Sequence, residues 1–517
     1  MLSVVESSAI FGVDAYGVRV EVNVAFSTLP AFAVVGLPDA AVNEARERVR
    51  AAIKNSGLMF PGDKRLTVNL APADTKKAGP AFDLPIAVGL LIATGQIAEA
   101  NAAGCLFTGE LSLDGSVRPV TGVLPMAVWA KKNGYRRFVV PSANTGEAAI
   151  VGDLDVYPVD NLTDVLLLLA DWEAKNPVRL DPAEALSRHT NSEWDFADVK
   201  GQAHVKRALE VAAAGGHNVL LVGSPGSGKT MLARRLPTIL PPMTVDEALE
   251  ATKLYSVAGL LPHGTPIIAE RPFRSPHHTI SNAGLTGGGS IPRPGEVSLA
   301  HNGVLFLDEL PEFNRDVLEV MRQPLEDGQV TIARAAASLT YPARFMLCGA
   351  LNPCPCGFFG DTLRQCTCKP ETVKKYLAKL SGPLLDRIDI HIEVPRLRQD
   401  EMIAPPAGEK SAAIRERVIA ARAIQAARFV NDTSQRRAYC NAHMGAKHMQ
   451  TLCPVTDDAK SLLCAAITQM SLSARAYDRI LKLARTISDL AKEEVIGIAH
   501  VAEAVQYRAL DRKFWGG

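Results

Sequence analysis

The stretch GSPGSGKT, residues 223–230, decides the fold, because it fits the pattern G-x-x-x-x-G-K-T between an apolar strand-like run and a helix-like run. Glycines in such a loop let backbone amides curl around phosphate groups, and the following helix adds the positive end of its dipole. The lysine reaches the terminal phosphates, and the threonine coordinates magnesium. The pattern therefore predicts an ATP and Mg²⁺ site formed by Gly223, Ser224, Pro225, Gly226, Ser227, Gly228, Lys229 and Thr230.

A second apolar run, GVLFLDE at residues 303–309, supplies two carboxylates. We expect a buried central strand that delivers Asp308 to the magnesium ion and Glu309 to the attacking water. By itself, the run fits equally well a buried strand that ends in surface acids. The phosphate loop upstream favours the catalytic interpretation, in which Glu309 indicates that the nucleophile is water rather than a protein hydroxyl.

Four apolar runs share the features of buried parallel strands, since each is rich in branched residues and is followed by turns and helix-like stretches. They occupy residues 218–223, 303–308, 344–351 and 389–394. The fold class that they predict is α/β, with a parallel P-loop sheet and helices on both faces. We assign this core to residues 194–395.

Different patterns flank this core. Short β-branched runs predict an α+β domain over residues 1–171, and a polar segment over residues 172–193 is typical of a linker. Beyond Pro395 helical periodicity predicts a helical lid domain over residues 396–517. The helical runs occupy residues 411–429, 457–467, 474–491 and 498–509.

The composition is that of an ordinary globular protein, with 47% hydrophobic and 21% charged residues. A formal net charge of +1 excludes the broad basic surface of many nucleic-acid-binding proteins, so a nucleic-acid contact must be local. Lysine and arginine recur between residues 399 and 437, where the alternatives are such a contact and a solvated helix face.

The sequence favours a cytoplasmic protein without a membrane span. Its N-terminal residues lack a cationic stretch followed by a long apolar one. The most apolar segment, residues 82–98, is broken by Asp83, Pro85 and Gly89, and we assign it to a buried helix. In this compartment we expect the nine cysteines to stay reduced.

Four of the cysteines crowd into two short hooks, Cys354-Pro-Cys356 and Cys366-Thr-Cys368. Four thiolates suffice for one tetrahedral Zn²⁺ ion, although the spacing departs from that of common zinc fingers. The segment between the hooks has little else to hold it folded. The alternatives are structural zinc, which we expect, and free thiols.

Three further segments resemble parts of AAA+ ATPases of the magnesium-chelatase and MCM branch. CGALNP at residues 348–353 resembles the sensor strand, which implies that Asn352 orients the hydrolytic water. SGPLLDRIDIHI at residues 381–392 is similar to the arginine-finger segment, which makes Arg387 a finger acting on a neighbour's ATP and implies a ring. LSARAYDRILKLART at residues 472–486 resembles the second sensor, with Arg475 placed to touch the γ-phosphate, or else an amphipathic helix with exposed arginines.

The stretch between the two ATP motifs is longer than a compact core needs, and RPFRSPHH at residues 271–278 resembles the helix-2 insertion of the same branch. DGQVTIARAAASLTYPARF at residues 327–345 predicts two alternating strands around a small turn and resembles the hairpin that lines the ring's pore. The resemblance implies a DNA backbone contact at Arg334, and the alternative is a surface arginine. We expect His277 and His278 to point to opposite faces of one strand and not to bind metal.

The N-terminal domain resembles the proteolytic domain of Lon-type proteases, through KKAGPAFDLPIA at residues 76–87 and TGELSLDGSVRPVTGVL at residues 108–124. That family uses a Ser-Lys dyad. Laying these segments over the family pattern puts Ala81 at the nucleophile position and Leu124 at the lysine position, and neither side chain can attack or ionise. The resemblance therefore implies a degenerate domain that serves assembly or nucleic-acid contact.

With its three domains in this order, the chain is identified as a member of the ComM/YifB family, whose ATPase is magnesium-chelatase-like. The resemblance implies a hexameric helicase that acts on single-stranded and branched DNA. It further implies that the helicase drives branch migration in homologous recombination during natural transformation. The alternative is an AAA+ protein-remodelling ATPase or a metal-chelatase-type motor subunit, because the same ATPase branch includes both.

Overall fold

The computed structural model describes residues 1–187, 193–262, 264–289, 292–334, 337–361, 363–397, 401, 408–430, 438–470 and 474–515. Three groups of helices and strands follow one another along these residues. Within them, no helix is long and apolar enough to cross a membrane.

The N-terminal part of the chain is built on a mixed seven-stranded sheet. Its strands and two short ones beside them are β1 Leu2–Phe11, β2 Asp14–Ala25, β3 Ala31–Val35, β4 Arg65–Ala71, β5 Cys105–Phe107, β6 Glu110–Leu111, β7 Val117–Arg118, β8 Arg137–Pro141 and β9 Asp155–Val159. The helices are α1 Ala40–Asn55, α2 Asp83–Ala93, α3 Glu99–Ala102, α4 Val123–Lys132, α5 Thr145–Ala149, α6 Leu162–Ala170 and α7 Pro182–Ser187. The order across the sheet is β3-β4-β2-β1-β5-β8-β9, in which β2 runs antiparallel to its neighbours β1 and β4 and the other neighbouring pairs run parallel.

The helix α2 fills the core beneath this sheet, and every one of its residues is buried. A helix that is apolar on all sides must be enclosed, so the expectation of a buried helix in residues 82–98 is confirmed. Gly89 lets α2 approach β2 closely, because a Cβ atom there would lie 2.6 Å from a methyl carbon of Val22. Val18, Val20 and Val22 of β2 are buried at alternate positions, as expected for a strand with one face on the core.

The middle part of the chain carries the parallel sheet. Its strands, including three two-residue strands and a hairpin, are β10 Val219–Val222, β11 Phe273–Arg274, β12 Gly287–Gly288, β13 Arg293–Pro294, β14 Val304–Leu307, β15 Gln329–Arg334, β16 Ala337–Pro342, β17 Met346–Leu351 and β18 Ile390–Glu393. The helices are α8 Ala203–Gly215, α9 Lys229–Ile239, α10 Val245–Ala258, α11 Asn282–Thr286, α12 Glu296–Leu299, α13 Arg315–Val320, α14 Arg322–Asp327, α15 Pro370–Leu377 and α16 Gly382–Leu385.

The five strands of this sheet lie in the order β11-β14-β17-β10-β18, and all neighbours run parallel. Successive residues of β10 point to opposite cores: Val219 and Leu221 pack with α8 and α9, whereas Leu220 and Val222 pack with α13 and the hairpin. Helices therefore cover both faces, and the predicted α/β fold class is confirmed. The edge strand β11 was not predicted.

The C-terminal part is helical, as predicted. Its helices are α17 Ser411–Arg428, α18 Ala446–Leu452, α19 Asp457–Met470, α20 Ala474–Ala491, α21 Ile498–Gln506 and α22 Ala509–Phe514. Ile414, Leu483 and Val501 of these helices belong to the same apolar core as Leu221 of β10. The helical region thus packs directly on one face of the sheet.

Three arginines of α17 contact residues of neighbouring helices. Arg417 Nε lies 2.5 Å from a carboxylate oxygen of Glu210, and Arg422 donates a hydrogen bond to the carbonyl of Ala213, both on α8. Arg428 pairs with the buried Asp489 at 2.5 Å. The interpretation of this run as a solvated face is wrong for Arg428, whose charge is matched by the buried Asp489, whereas the side chain of Arg417 is 43% exposed. Residues 436 and 437 lie outside the described residues.

The predicted hairpin is present as β15 and β16, which pair antiparallel from Gln329 opposite Pro342 to Arg334 opposite Ala337. The tip, residues 335–336, lies outside the described residues, and so does the side chain of Arg334. The backbone therefore places Arg334 as the last residue of β15, next to the tip.

Candidate functional site

The phosphate loop, residues 223–230, connects the buried end of β10 to the first turn of α9, which begins at Lys229. Gly226 and Gly228 have φ angles of 78° and 92°, in the left-handed region that favours glycine. These angles turn the chain so that the loop leads directly into the helix N-terminus. The positive end of the α9 dipole therefore lies beside the loop, as an anion site requires.

The ammonium group of Lys229 lies inside this loop. Its Nζ donates to the carbonyl oxygens of Gly223 at 2.7 Å and Ser224 at 3.1 Å, and to Oδ1 of Asn352 at 3.1 Å. Burial lowers the pKa of Lys229 to about 8, and the charges of Asp308 and Glu309 oppose this shift. A buried cation whose hydrogen-bond partners are neutral oxygens is stabilised by a phosphate anion, so the residues present fit a nucleoside triphosphate.

Thr230 and Asp308 lie together although 78 positions separate them. The hydroxyl of Thr230 donates to Oδ2 of Asp308 at 2.7 Å, and the other oxygen of Asp308 accepts from the backbone N–H of Glu309 at 2.9 Å. Hydroxyl and carboxylate oxygens are ligands that Mg²⁺ prefers. Because β10, β14 and β17 are parallel neighbours, Asn352, which follows β17, reaches the same edge of the sheet.

Glu309 projects from this edge toward open space, with its side chain 54% exposed. Its φ angle of 52° is left-handed, which is uncommon for a residue with a side chain and is typical of functional turns.

His278 lies beside Glu309, and the sequence did not predict this contact. Its Nδ1 is 3.7 Å from Oε2 of Glu309, and its ring lies 4.1 Å from that of His277, centroid to centroid. The expectation that these histidines point to opposite faces of a strand is wrong, because β11 ends at Arg274 and Pro276 keeps the chain out of the sheet. The parallel pairing of β11 with β14 is the signal that could have located His278, since residues after the two strands meet at one edge.

Arg387 and Arg475 line one small cleft of about 180 Å³, together with Arg479 and Lys482. Among the described residues that line it, none belongs to the phosphate loop. Arg387 donates to the carbonyl of Pro383 at 2.7 Å and pairs with Glu326. We call these four cations and their surroundings the arginine cleft.

Arg479 is committed to a buried ion pair at the edge of this cleft. It pairs with Asp389, which also lies 3.1 Å from Nδ1 of His217. Burial alone would raise the pKa of Asp389, but Arg479 and His217 hold it well below its usual range. Arg475, in contrast, is exposed and available to a ligand in the cleft.

The four sulfur atoms of the cysteine cluster converge, since all lie within 4.8 Å of one another. The sulfur of Cys354 lies 3.3 Å from that of Cys356 and 3.7 Å from that of Cys366, and the last two are 3.6 Å apart. Four ligands about 2.3 Å from a tetrahedral zinc ion are separated by about 3.8 Å. The residues therefore fit Zn²⁺ in type, number and spacing.

The thiols of the cluster differ in their electrostatics, because burial and contacts with the neighbouring thiols raise the pKa of Cys366 and Cys368, whereas the pKa of Cys356 is lowered. Burial would raise the pKa of Cys356, yet hydrogen bonds from the backbone of Phe358 and Thr367 and from the neighbouring thiols lower it to about 5. Backbone donors that stabilise a thiolate make it a ready metal ligand. All nine cysteines lie within the described residues, and none of them forms a disulfide.

The two positions compared with the Lon dyad lie in apolar surroundings. Ala81 and Leu124 are both buried, and Leu124 packs against Met243, Ala248 and Ile267 from the ATPase part of the chain. The position that would carry the lysine therefore contributes an apolar contact between the two parts of the chain.

A buried carboxylate reinforces this junction. Glu147 accepts hydrogen bonds from Asn144 at 2.6 Å, from the hydroxyl of Ser256 on α10 at 2.7 Å and from the backbone of Leu124 at 3.3 Å. Burial raises the pKa of Glu147, and these donors oppose the shift. The backbone N–H of Gly122 also donates to the carbonyl of Ser256 at 3.1 Å. The N-terminal part of the chain is thus attached to the end of α10.

Comparisons with known proteins cover nearly the whole chain. Residues 195–402 match the family described as "Magnesium chelatase, subunit ChlI", residues 20–144 match "Subunit ChlI of Mg-chelatase", and residues 408–508 match "Magnesium chelatase, subunit ChlI C-terminal". "Competence protein ComM" of Haemophilus influenzae is 44% identical over 99% of this chain and 98% of its own length. "Uncharacterized protein YifB" of Salmonella typhimurium is 43% identical over 99% and 98%. The "Magnesium-chelatase 38 kDa subunit" of Rhodobacter capsulatus is 27% identical over 34% of this chain and 54% of that protein.

Proposed function

The chain belongs to the ComM/YifB family of magnesium-chelatase-like AAA+ proteins, and from this premise we propose that it is an ATP-hydrolysing ring motor that moves DNA. Its task would be branch migration in homologous recombination during natural transformation, in the cytoplasm. The name "Competence protein ComM" of the Haemophilus influenzae relative supports an involvement with incoming DNA. The single observation that carries the ATPase proposal is the pairing of Thr230 with Asp308 beside the buried Lys229.

In the proposed reaction the phosphate loop amides and Lys229 bind the ATP phosphates. Thr230 and Asp308 hold Mg²⁺, which neutralises phosphate charge when bound. Glu309 accepts the proton of the attacking water, and Asn352 orients that water. Asn352 is suited to this role because its amide already contacts Lys229.

We assign Arg387 and Arg475 to the neighbouring subunit's ATP. Both line the arginine cleft, and none of its described lining residues comes from the phosphate loop of the same chain. Because no phosphate-loop residue is among the described lining of this cleft, the two guanidinium groups are better placed to act on the ATP of a second copy of the chain. This arrangement supports a closed ring, and the family resemblance suggests six subunits.

We propose that single-stranded or branched DNA passes through the pore and contacts the hairpin β15–β16 near Arg334. The hairpin favours this role, because its two strands pair with each other in a sheet of their own and Arg334 ends the first of them. An arginine beside such a tip binds phosphate groups without reading sequence. The near-neutral net charge agrees with a contact confined to one element.

We further propose a structural Zn²⁺ at Cys354, Cys356, Cys366 and Cys368. The domain boundaries that go with this function are residues 1–171 for the degenerate Lon-like domain, 172–193 for the linker, 194–395 for the ATPase core and 396–517 for the lid. The apolar packing around Leu124 supports a structural role for the Lon-like domain rather than proteolysis.

The experiment that tests the motor is steady-state ATP hydrolysis by the purified chain with and without single-stranded and branched DNA. The Glu309→Gln variant serves as the inactive control. We expect strong stimulation by DNA that is absent from the control. Hydrolysis that DNA leaves unchanged under ring-forming conditions would favour a protein-remodelling motor instead.

A further inference from the structure

The loop that carries the four cysteines packs directly against the phosphate loop. We define the four-cysteine loop as residues 353–369, between β17 and α15. The hydroxyl of Ser224, the second residue of the phosphate loop, donates to Oδ2 of Asp361 at 2.5 Å. The two residues are 137 positions apart, so this contact joins two separate loops of the fold.

Asp361 is fixed from several sides. Its other carboxylate oxygen accepts hydrogen bonds from the backbone N–H groups of Leu363 at 2.8 Å and Arg364 at 3.0 Å. Arg396, which follows β18, places its Nε 3.1 Å from Oδ2. The carboxylate side chain is only 3% exposed, so the contact with Ser224 is shielded from water.

The next residue of the phosphate loop, Pro225, is held by the same elements. A Cβ atom at Gly357 would lie 2.4 Å from Cδ of Pro225, so the backbone of the four-cysteine loop touches the proline ring. Gly357 also has a left-handed φ of 84°, which places the chain for this approach. Arg396 donates to the carbonyl of Pro225 at 3.2 Å.

The four-cysteine loop depends on its sulfur cluster for shape. Gly357 and Asp361 both lie between the two hooks, and few large apolar side chains of this segment are buried. Closing the hooks on one ion fixes both ends of the segment that carries Asp361. Opening the hooks would loosen this segment and weaken the placement of the carboxylate opposite Ser224.

We propose that the four-cysteine loop, closed by a thiophilic divalent cation such as Zn²⁺, positions the phosphate loop through Asp361, so that metal retention and nucleotide affinity are coupled. Asp361 is a positioning residue, since it acts on phosphates through Ser224. The inference rests on the proposed nucleotide binding. Coupling of this kind is reciprocal, so the factor by which the metal strengthens nucleotide binding equals the factor by which nucleotide strengthens metal binding.

The test uses the full chain loaded with Zn²⁺ and a fluorescent ADP analogue with Mg²⁺. Nucleotide Kd is measured before and after a zinc-selective chelator removes the metal, and zinc affinity is measured with and without the analogue. We expect both affinities to change by the same factor. Asp361→Asn should weaken binding of the analogue about tenfold, the usual effect of losing a charge-assisted hydrogen bond. The variant should retain its full zinc content, but removing the zinc should no longer change its affinity for the analogue.

Two further variants separate positioning from general loss of structure. Glu371→Gln removes an exposed carboxylate from the first turn of α15 and should leave the coupling intact. Ser224→Ala removes the hydrogen bond from the other side, and it should reduce the coupling with the cysteine hooks untouched. If Asp361→Asn misfolds, the Ser224→Ala result decides.

These measurements distinguish a failure of the proposed coupling from a failure of the proposed motor function. Wild-type protein that binds the analogue equally well with and without zinc would overturn the inference and leave the ATPase proposal standing. Zinc-loaded wild-type protein that does not bind the analogue would overturn both. Equal coupling in wild-type and Ser224→Ala proteins would show that the contact between the two loops transmits nothing.

Discussion

Raising the pH should weaken nucleotide binding through Lys229. In the free protein, burial lowers the pKa of this ammonium to about 8. A bound phosphate favours the charged form and raises the pKa, so binding takes up a proton above this value. The affinity for nucleotide is therefore at its maximum well below pH 8 and falls as the pH rises through 8.

The size of the effect follows from the protonated fraction. With a pKa of about 8, this fraction falls from about ten-elevenths at pH 7 to about one-eleventh at pH 9. If only the charged form binds, Kd rises about tenfold over this interval, which corresponds to about 1.4 kcal/mol. The phosphates of the nucleotide are almost fully ionised throughout the upper part of the range, so they contribute little to the change.

The assay is fluorescence anisotropy of a labelled ADP with Mg²⁺, at constant ionic strength, from pH 7 to pH 9. Lys229→Arg is the matched control, because a guanidinium stays charged over the whole range. The variant should bind more weakly at pH 7 and show a flat profile. A flat profile in the wild-type protein, or the same slope in Lys229→Arg, would refute the assignment of the titration to Lys229.

Three other outcomes follow from the described contacts. Leu124→Ala should destabilise the junction between the N-terminal part and α10 by about 2–4 kcal/mol in chemical denaturation, because it empties a buried apolar site. Leu113→Ala, at a position 58% exposed, is the control and should change little. Arg387→Ala and Glu309→Gln subunits, each inactive alone, should recover ATP hydrolysis when mixed, because about one quarter of the random subunit interfaces pair an intact Arg387 with an intact Glu309. No recovery would mean that Arg387 acts on the ATP of its own subunit. His278→Ala should lower kcat several-fold with an unchanged KM for ATP, because it contacts Glu309 and not the phosphate loop. An increase in KM at constant kcat would contradict this role.

The sequence predicted those parts of the fold that local pattern determines. Each of the four predicted apolar runs contains one strand of the parallel sheet, and α20 spans Ala474–Ala491, the same residues as the predicted helix. Continuous apolar runs and helical periodicity are set by burial of the segment itself. A single sequence therefore carries them without knowledge of the neighbours.

Contacts between distant loops left no such pattern. The strand β11 has only two residues, too few for a periodicity, and the approach of His278 to Glu309 depends on it. Ser224 and Asp361 lie in irregular segments, and nothing in their spacing marks them as partners. The roles of the predicted site residues stay predictions.

Leu124 illustrates a different limit. Its position relative to the Lon pattern excluded a catalytic lysine, but the residue type alone did not indicate what replaced that function. Three residues that pack with Leu124, namely Met243, Ala248 and Ile267, are more than a hundred positions away. Only the three-dimensional arrangement shows that the site has become a contact surface.

The helix α10 is held at both ends by different parts of the molecule. Near its start Glu247 pairs with Arg271 at 2.9 Å, and near its end Ser256 bonds to Glu147 of the N-terminal part. A helix that is anchored at both ends in this way cannot rotate without moving the residues that anchor it. The N-terminal part of the chain is therefore coupled to α10, and a rotation of this helix would displace both parts together.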